Sequence, residues 1–212
     1  MNAEFAEKGY AAVRDFISPE LARIAHQYGM LRSKLGLGKK LKGRKARYGE
    51  RQQYGDHLME TILDQSTSKM EAIVGRELWP SYSFYRLYAK GMFFPRHRDR
   101  PSCEFSVSLC LGRDFSNLSE GEAEADWPLF ANGVPVPCPP GGGAVYKGCE
   151  VEHWREPLKG NHQLQLFLHY VDKNGPFGKL CRFDSRPMLG TPSESRDPEK
   201  LKQLEQAVDR DS

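Results

Sequence analysis

No run of about 18 apolar residues occurs anywhere in the chain, so no stretch is long enough to cross a bilayer as a helix. The opening MNAEFAEKGY has neither the basic start nor the apolar stretch of a secretory signal, and a cytoplasmic protein is the expectation. Cysteine is scarce: five residues (Cys103, Cys110, Cys138, Cys149, Cys181), odd in number, scattered and without a CxxC pair, which argues against a disulfide framework and a structural zinc site. Net charge is also small. At +3 it is too low to argue by itself for nucleic acid or an acidic membrane surface. Hydrophobic residues reach only 39%, but an aromatic content of 11% is more than a disordered chain carries. With 212 residues, one domain with a substantial core is expected.

The charge that is present is unevenly placed. Lys34, Lys39, Lys40, Lys42, Arg44, Lys45 and Arg47 follow one another without an acid, interrupted by Gly36, Gly38 and Gly43, and residues 34–47 read as a mobile basic loop. Before it, Ser18 as cap, Pro19 in the first turn, and Leu21, Ile24, Ala25, Tyr28 and Leu31 at helical spacing predict a helix over Phe16–Arg32. After it, Asp56–Leu78 reads as helical with a break at Ser66–Ser68. From Tyr82 onward the pattern changes to short aromatic and β-branched runs punctuated by Gly and Pro. Strands are expected near Ser83–Tyr88, Met92–His97, Phe105–Leu111, Leu129–Val136, Ala144–Tyr146, Cys149–Arg155 and His162–Val171. The fold class is therefore mainly β with N-terminal helices (α+β), with a double-stranded β-helix, the jelly-roll and cupin-like barrel, as architecture. Residues 1–80 would be the helical support, 81–185 the barrel, and 186–212 a polar tail that hangs free.

His97-Arg98-Asp99 is the first site candidate, because residues i and i+2 of a strand point to one face and can reach one metal. The triplet is weak alone: six histidines and 28 acids in 212 residues give roughly one chance match. Its surroundings add weight. Tyr88, Gly91, Phe94, His97 and Asp99 form a Y-x-x-G-x-x-F-x-x-H-x-D string, and Gly141 to Tyr146 is a glycine turn into a strand. His153 follows at the end of the next strand, one that could run beside the first. Two imidazoles and one carboxylate on facing strands make a facial triad with positions left open for a bidentate cosubstrate and dioxygen.

These features resemble the prolyl 4-hydroxylase branch of the iron and 2-oxoglutarate-dependent oxygenases. The tyrosine–glycine–aromatic spacing before His97-x-Asp99, the turn Gly143 to Tyr146, and His153 followed by Pro157 and Gly160 carry the likeness over Tyr82–Val171. The resemblance implies a double-stranded β-helix, Fe(II) held by His97, Asp99 and His153, and 2-oxoglutarate and dioxygen as cosubstrates. It also implies hydroxylation of a C–H bond with release of succinate and carbon dioxide. Asp99 argues for hydroxylation or another oxidation over halogenation, since related halogenases place a small residue there. One position departs from the pattern. Where the family has a Lys or Arg nine or ten residues after the distal histidine, to pair with the far carboxylate of 2-oxoglutarate, this chain has His162 and Gln163. Arg155, Arg86 and His162 are the available substitutes, with Tyr88 donating a hydrogen bond.

Gln163, Gln165, Phe167 and His169 share one face of their strand and would line the barrel if the intervening leucines cover the helices. His26 and His57 read as surface or packing residues. Trp154 to Glu156 and the polar loop Arg113–Asp126, with Trp127 closing it, are where a substrate is expected to touch. A small-molecule or peptide substrate and no membrane are the expected partners, and the sequence does not specify the oligomeric state. Two other readings stand beside the oxygenase: a cupin-like metal protein that does not use 2-oxoglutarate, and a nucleic-acid-binding protein using the basic loop, though that loop lacks interleaved aromatics for base stacking.

Overall fold

Alternation along one strand divides the molecule into two compartments. The structure is a computed structural model that describes residues 1–121 and 126–210. Strand β11 (His162–Asp172) turns Leu164, Leu166 and Leu168 to one side and Gln163, Gln165, Phe167 and His169 to the other, as a period of two requires. It lies at the centre of a seven-stranded antiparallel sheet, paired along its length with β4 (Leu78–Ala89) and β6 (Phe105–Asp114). Beyond β6 come β9 (Gly143–Lys147) and β1 (Tyr10–Val13), and beyond β4 come β3 (Arg51–Tyr54) and β2 (Lys39–Lys40).

The leucine side is covered by helices. Helices α1 (Ala3–Lys8), α2 (Pro19–Lys34), α3 (His57–Gln65) and α4 (Thr67–Val74) bury Phe5, Ala25, Met59, Leu63 and Met70 against it. Each fully buried leucine of this layer contributes about 1.5–3 kcal/mol by leaving water. Ser18 accepts from the Leu21 amide and Asp56 from those of Leu58 and Met59, so α2 and α3 begin on side-chain caps. Gly29 lets α2 approach closely, since a Cβ there would strike Leu164.

The other side faces a four-stranded sheet ordered β5 (Phe94–His97), β10 (His153–Arg155), β7 (Leu129–Ala131) and β8 (Val134–Val136). Between the sheets lie an aliphatic cluster around Leu129, Val136 and Val151 and an aromatic one of Tyr88, Trp127 and Phe167. Two open antiparallel sheets packed in this way form the expected jelly roll.

Several local expectations change. The single strand over Leu129–Val136 is a hairpin, because Asn132 (φ 48°) and Gly133 (φ 88°) make a tight left-handed turn. The basic segment is not a plain loop: Lys39 and Lys40 pair with Gln52 and Arg51, and Gly43–Tyr48 is a 3-10 helix. The C-terminal segment does not hang free. Arg186 is buried and paired with Glu60, Arg196 is paired with Asp184, and the last helix (Pro198–Arg210) packs Leu204 on Val171 and Cys181. All five cysteines are free thiols. Among the described residues no helix is long and apolar enough to cross a membrane.

Candidate metal centre

Pairing of β5 with β10 sets His97 directly opposite His153, so two residues 56 positions apart in the chain meet as cross-strand neighbours. Their ring centroids lie 4.4 Å apart. Asp99 follows the end of β5, where its amide donates to the Gly148 carbonyl at 2.9 Å. Gly148 permits the approach: any Cβ there would strike the Cys103 carbonyl and the Asp99 carboxylate. The Asp99 Oδ1 atom then stands 3.3 Å from His97 Nε2 and 3.7 Å from His153 Nε2. The three residues predicted from sequence to share a metal are thus brought together, with ligand atoms within 4.8 Å of one another.

The hydrogen bonds behind the rings decide what those atoms can do. His97 Nδ1 donates to the Pro95 carbonyl at 2.7 Å and His153 Nδ1 to the Val151 carbonyl at 2.9 Å, since a carbonyl can only accept. In the neutral tautomer each Nε2 therefore carries a lone pair aimed at Asp99. His153 Nε2 and Asp99 Oδ2 are buried and have no hydrogen-bond partner. His153 Nε2 and Asp99 Oδ2, unpartnered beside His97 Nε2, make a donor set for a cation, and the mixture of imidazole and carboxylate suits ferrous iron.

The three groups also set one another's protonation. Burial opposes charge on His97, but the Asp99 hydrogen bond, the Pro95 carbonyl and the Asp99 charge outweigh it and raise its pKa. His153 is lowered by burial, which the Asp99 charge only partly offsets. Asp99, despite burial, is lowered by the His97 hydrogen bond and the neighbouring imidazoles. Phe94 edges onto His97 at 4.5 Å and Tyr146 tilts over His153 at 4.4 Å, fencing the rings on the barrel side.

A second trio, Asp99, Cys103 and His169, shares the carboxylate. It is the poorer metal site. The Cys103 sulfur is engaged with the Tyr82 hydroxyl at 3.1 Å, and burial keeps its thiol protonated far into the alkaline range. His169 Nδ1 is held by Ser106 Oγ at 2.8 Å, and burial lowers its pKa to about 4.

The four residues expected to bind the cosubstrate separate into two groups. Tyr88, Arg86 and Arg155 face the interior between the sheets; His162 does not. It shares the leucine face of β11 and stacks on His26 of α2 at 5.8 Å, with the sheet between it and the trio His97, Asp99 and His153. Arg155 is 1% exposed. Its guanidinium donates to the Trp127 carbonyl, to Ser108 Oγ at 3.2 Å and to Cys138 Sγ at 3.3 Å, and lies 4.8 Å from the Trp127 ring centroid. Ser108 continues to Gln165, and Gln165 to Gln163, whose Oε1 is buried without a partner. Among the described residues no carboxylate pairs with Arg155, and its Nε has no acceptor. Arg86 lies nearer the opening, donating to the Tyr48 carbonyl at 3.1 Å, to Gln52 at 3.1 Å and to the Tyr88 hydroxyl at 3.5 Å. It lines a cavity of about 330 Å³ that opens onto His97.

Trp154, expected to touch substrate, points the other way. Between inward His153 and Arg155 it turns to the outer face of β10, stacked on Phe130 at 5.3 Å and under Arg96 at 3.8 Å. Trp127 closes against the barrel as expected, its indole N–H donating to the Glu156 carbonyl at 2.7 Å. Part of the Arg113–Asp126 loop lies outside the described residues. Missed from sequence were Ser108, a small polar residue in a strand otherwise read as core, and the lysines of the basic segment, whose place beside the cavity depends on β2 and β3 extending the sheet.

No protein-family model and no curated protein sequence matches this chain. Solved structures do resemble it. A Pseudomonas putida prolyl-4-hydroxylase is similar with a TM-score of 0.59 at 20% identity, over 80% of this chain and 95% of that one. A 2OG-Fe(II) oxygenase family oxidoreductase from Burkholderia pseudomallei matches with a TM-score of 0.57 at 20% identity, over 86% and 91%. A Trichoplax adhaerens prolyl hydroxylase, solved with a hypoxia inducible factor peptide fragment, matches with a TM-score of 0.59 at 13% identity, over 80% and 86%. The chain therefore has the fold that these oxygenases share, a double-stranded β-helix with its helices packed on one sheet.

Proposed function

We propose that the protein is an Fe(II)- and 2-oxoglutarate-dependent oxygenase that hydroxylates a C–H bond of an amino-acid, peptide or small-molecule substrate. The observation that carries this reading is the convergence of His97 Nε2, His153 Nε2 and an Asp99 oxygen, with each imidazole held through Nδ1 by a backbone carbonyl. Agreement of the fold with that of solved 2OG-Fe(II) oxygenases supports it. In the reaction one oxygen atom of O2 enters the C–H bond and the other enters succinate, while 2-oxoglutarate loses carbon dioxide. Two electrons from each organic partner complete the four-electron reduction of O2.

His97, Asp99 and His153 would hold the iron by one face, leaving the remaining positions for cosubstrate and dioxygen. When bound, the ferrous ion supplies the redox chemistry that couples decarboxylation to C–H oxidation. The protein's own groups bind and orient. The Pro95 and Val151 carbonyls fix the imidazole planes, and Asp99 adds the negative charge that favours a divalent cation. Arg155, a buried cation without an acid, would neutralise the distal carboxylate of 2-oxoglutarate. Tyr88, whose phenol burial pushes up and keeps protonated, would donate to the same carboxylate. Phe94 and Tyr146 pack against the two imidazoles, with Phe167 against Phe94, and hold the rings in place.

Anaerobic addition of Fe(II) and 2-oxoglutarate tests metal, cosubstrate and geometry without knowledge of the substrate. A weak visible absorption of the chelate should appear in the unaltered protein and vanish in Asp99→Ala and His153→Ala, with far-ultraviolet circular dichroism unchanged. No band in the unaltered protein, or an undiminished one in both variants, contradicts the assignment.

A further inference from the structure

The cavity beside His97 carries more positive charge than the proposed chemistry uses. Lys39, Lys45 and Arg86 line it together with Tyr48, Gln52 and Phe94, and no acidic side chain is among its walls. None of the three cations takes part in an ion pair among the described residues. On the oxygenase reading, the charge of a ferrous ion and of Arg155 cancels that of Asp99 and the two carboxylates of 2-oxoglutarate. Three cations are then left facing the opening.

Their position is built. The Leu41 side chain is buried in the cavity wall, and its amide donates to the Glu50 carbonyl at 3.2 Å. Arg51 donates to the carbonyls of Gly36 at 2.9 Å and Gly38 at 3.4 Å, tying down the turn before Lys39. On the far side the Phe93 amide donates to the Arg47 carbonyl at 3.1 Å, joining the 3-10 helix that carries Lys45 to the strand that carries His97. Gly49 allows Arg86 to lie against this segment, since a Cβ there would strike its side chain. The basic segment is thus one wall of the entrance to the metal ligands.

We infer that the substrate is a small organic polyanion, bearing phosphate or carboxylate groups, that lays its charge on Lys39, Lys45 and Arg86 and turns a C–H bond toward His97. This inference rests on the oxygenase reading for the reaction, but its charge recognition can be measured without iron. A cavity of about 330 Å³ suits a metabolite-sized molecule and is too small to enclose a longer chain. Exposed lysines attract such an anion through a field that added salt screens.

The test is calorimetric titration of the metal-free full chain with inorganic pyrophosphate and, separately, with citrate, which distinguishes phosphate from carboxylate recognition. At least one should bind, and Lys39→Ala/Lys45→Ala should weaken it about tenfold or more. Lys39→Glu/Lys45→Glu should abolish binding, while Lys200→Ala/Lys202→Ala, on the last helix, should leave it unchanged. Both lysines of the site are exposed, and circular dichroism should show the variants folded. No binding of either probe, binding indifferent to the site lysines, or binding equally weakened by the distant pair overturns the inference. So does affinity seen only with single-stranded oligonucleotides and rising with their length, which would make the wall a nucleic-acid track. Because the chelate absorption needs iron and this titration excludes it, failure of one leaves the other readable.

Discussion

Two arginines lie in the interior of this protein, and only one of them meets a carboxylate. Arg186, 2% exposed, donates to Glu60 at 2.6 Å and to the carbonyls of Phe183, Thr191 and Ser81. Arg155, 1% exposed, has a carbonyl, a hydroxyl and a thiol, and among the described residues no acid. A buried guanidinium is costly unless paired, so the first arrangement describes a finished structural contact, whereas the second leaves a buried cation with neutral partners only. The contrast extends to the regions around them. Near Arg186 the chain runs through three consecutive left-handed residues, Phe183 to Ser185, and Asp184 there accepts from Arg100, Tyr54 and Arg196. Near Arg155 the chain is extended, with a shift in its register against β5 between His153 and Arg155, and the unfilled valences are on side chains: Arg155 Nε, Gln163 Oε1 and His153 Nε2.

The comparison can be broken by exchanging the roles. Arg186→Met leaves the Glu60 charge buried and should cost about 3–5 kcal/mol of stability in urea denaturation. Removing that charge as well, in Glu60→Gln/Arg186→Met, should recover a large part of the loss. Arg155→Met loses only neutral partners and should cost less, about 1–3 kcal/mol. Its larger effect should fall on the cosubstrate: the 2-oxoglutarate concentration that half-saturates the chelate absorption should rise about 100-fold, equivalent to about 2.7 kcal/mol. Arg86→Met should raise it far less. Collapse of stability in Arg155→Met with unchanged 2-oxoglutarate binding would make the two arginines alike and remove Arg155 from the cosubstrate site.

What the sequence could disclose follows from the range of the interactions involved. The candidate trio His97, Asp99 and His153 is legible because period-two geometry and a short string around Gly91 act within a few residues, and the glycine turn before His153 marks the partner strand. The face of His162 was legible too: it stands two residues before Leu164, and the leucine side of β11 is the helix side. The C-terminal clasp was not legible. Tyr54 and Asp184 are 130 positions apart, as are Gly190 and Glu60, and nothing local in a polar, Pro-containing segment tells of a buried partner so distant. The basic segment reads as a loop by composition, since Lys and Gly disfavour strands. It becomes an ordered wall because the edge of β4 offers β3 a register, with Gln52 opposite Arg86, and β2 follows.

Two candidate donor trios share Asp99, and this makes one measurement decisive. Crystals soaked anaerobically with Fe(II) alone and examined by anomalous scattering at the iron edge should show a single peak about 2.0–2.2 Å from His97 Nε2, His153 Nε2 and an Asp99 oxygen. A peak bridging Asp99, Cys103 and His169, or no peak at a saturating iron concentration, would contradict the account.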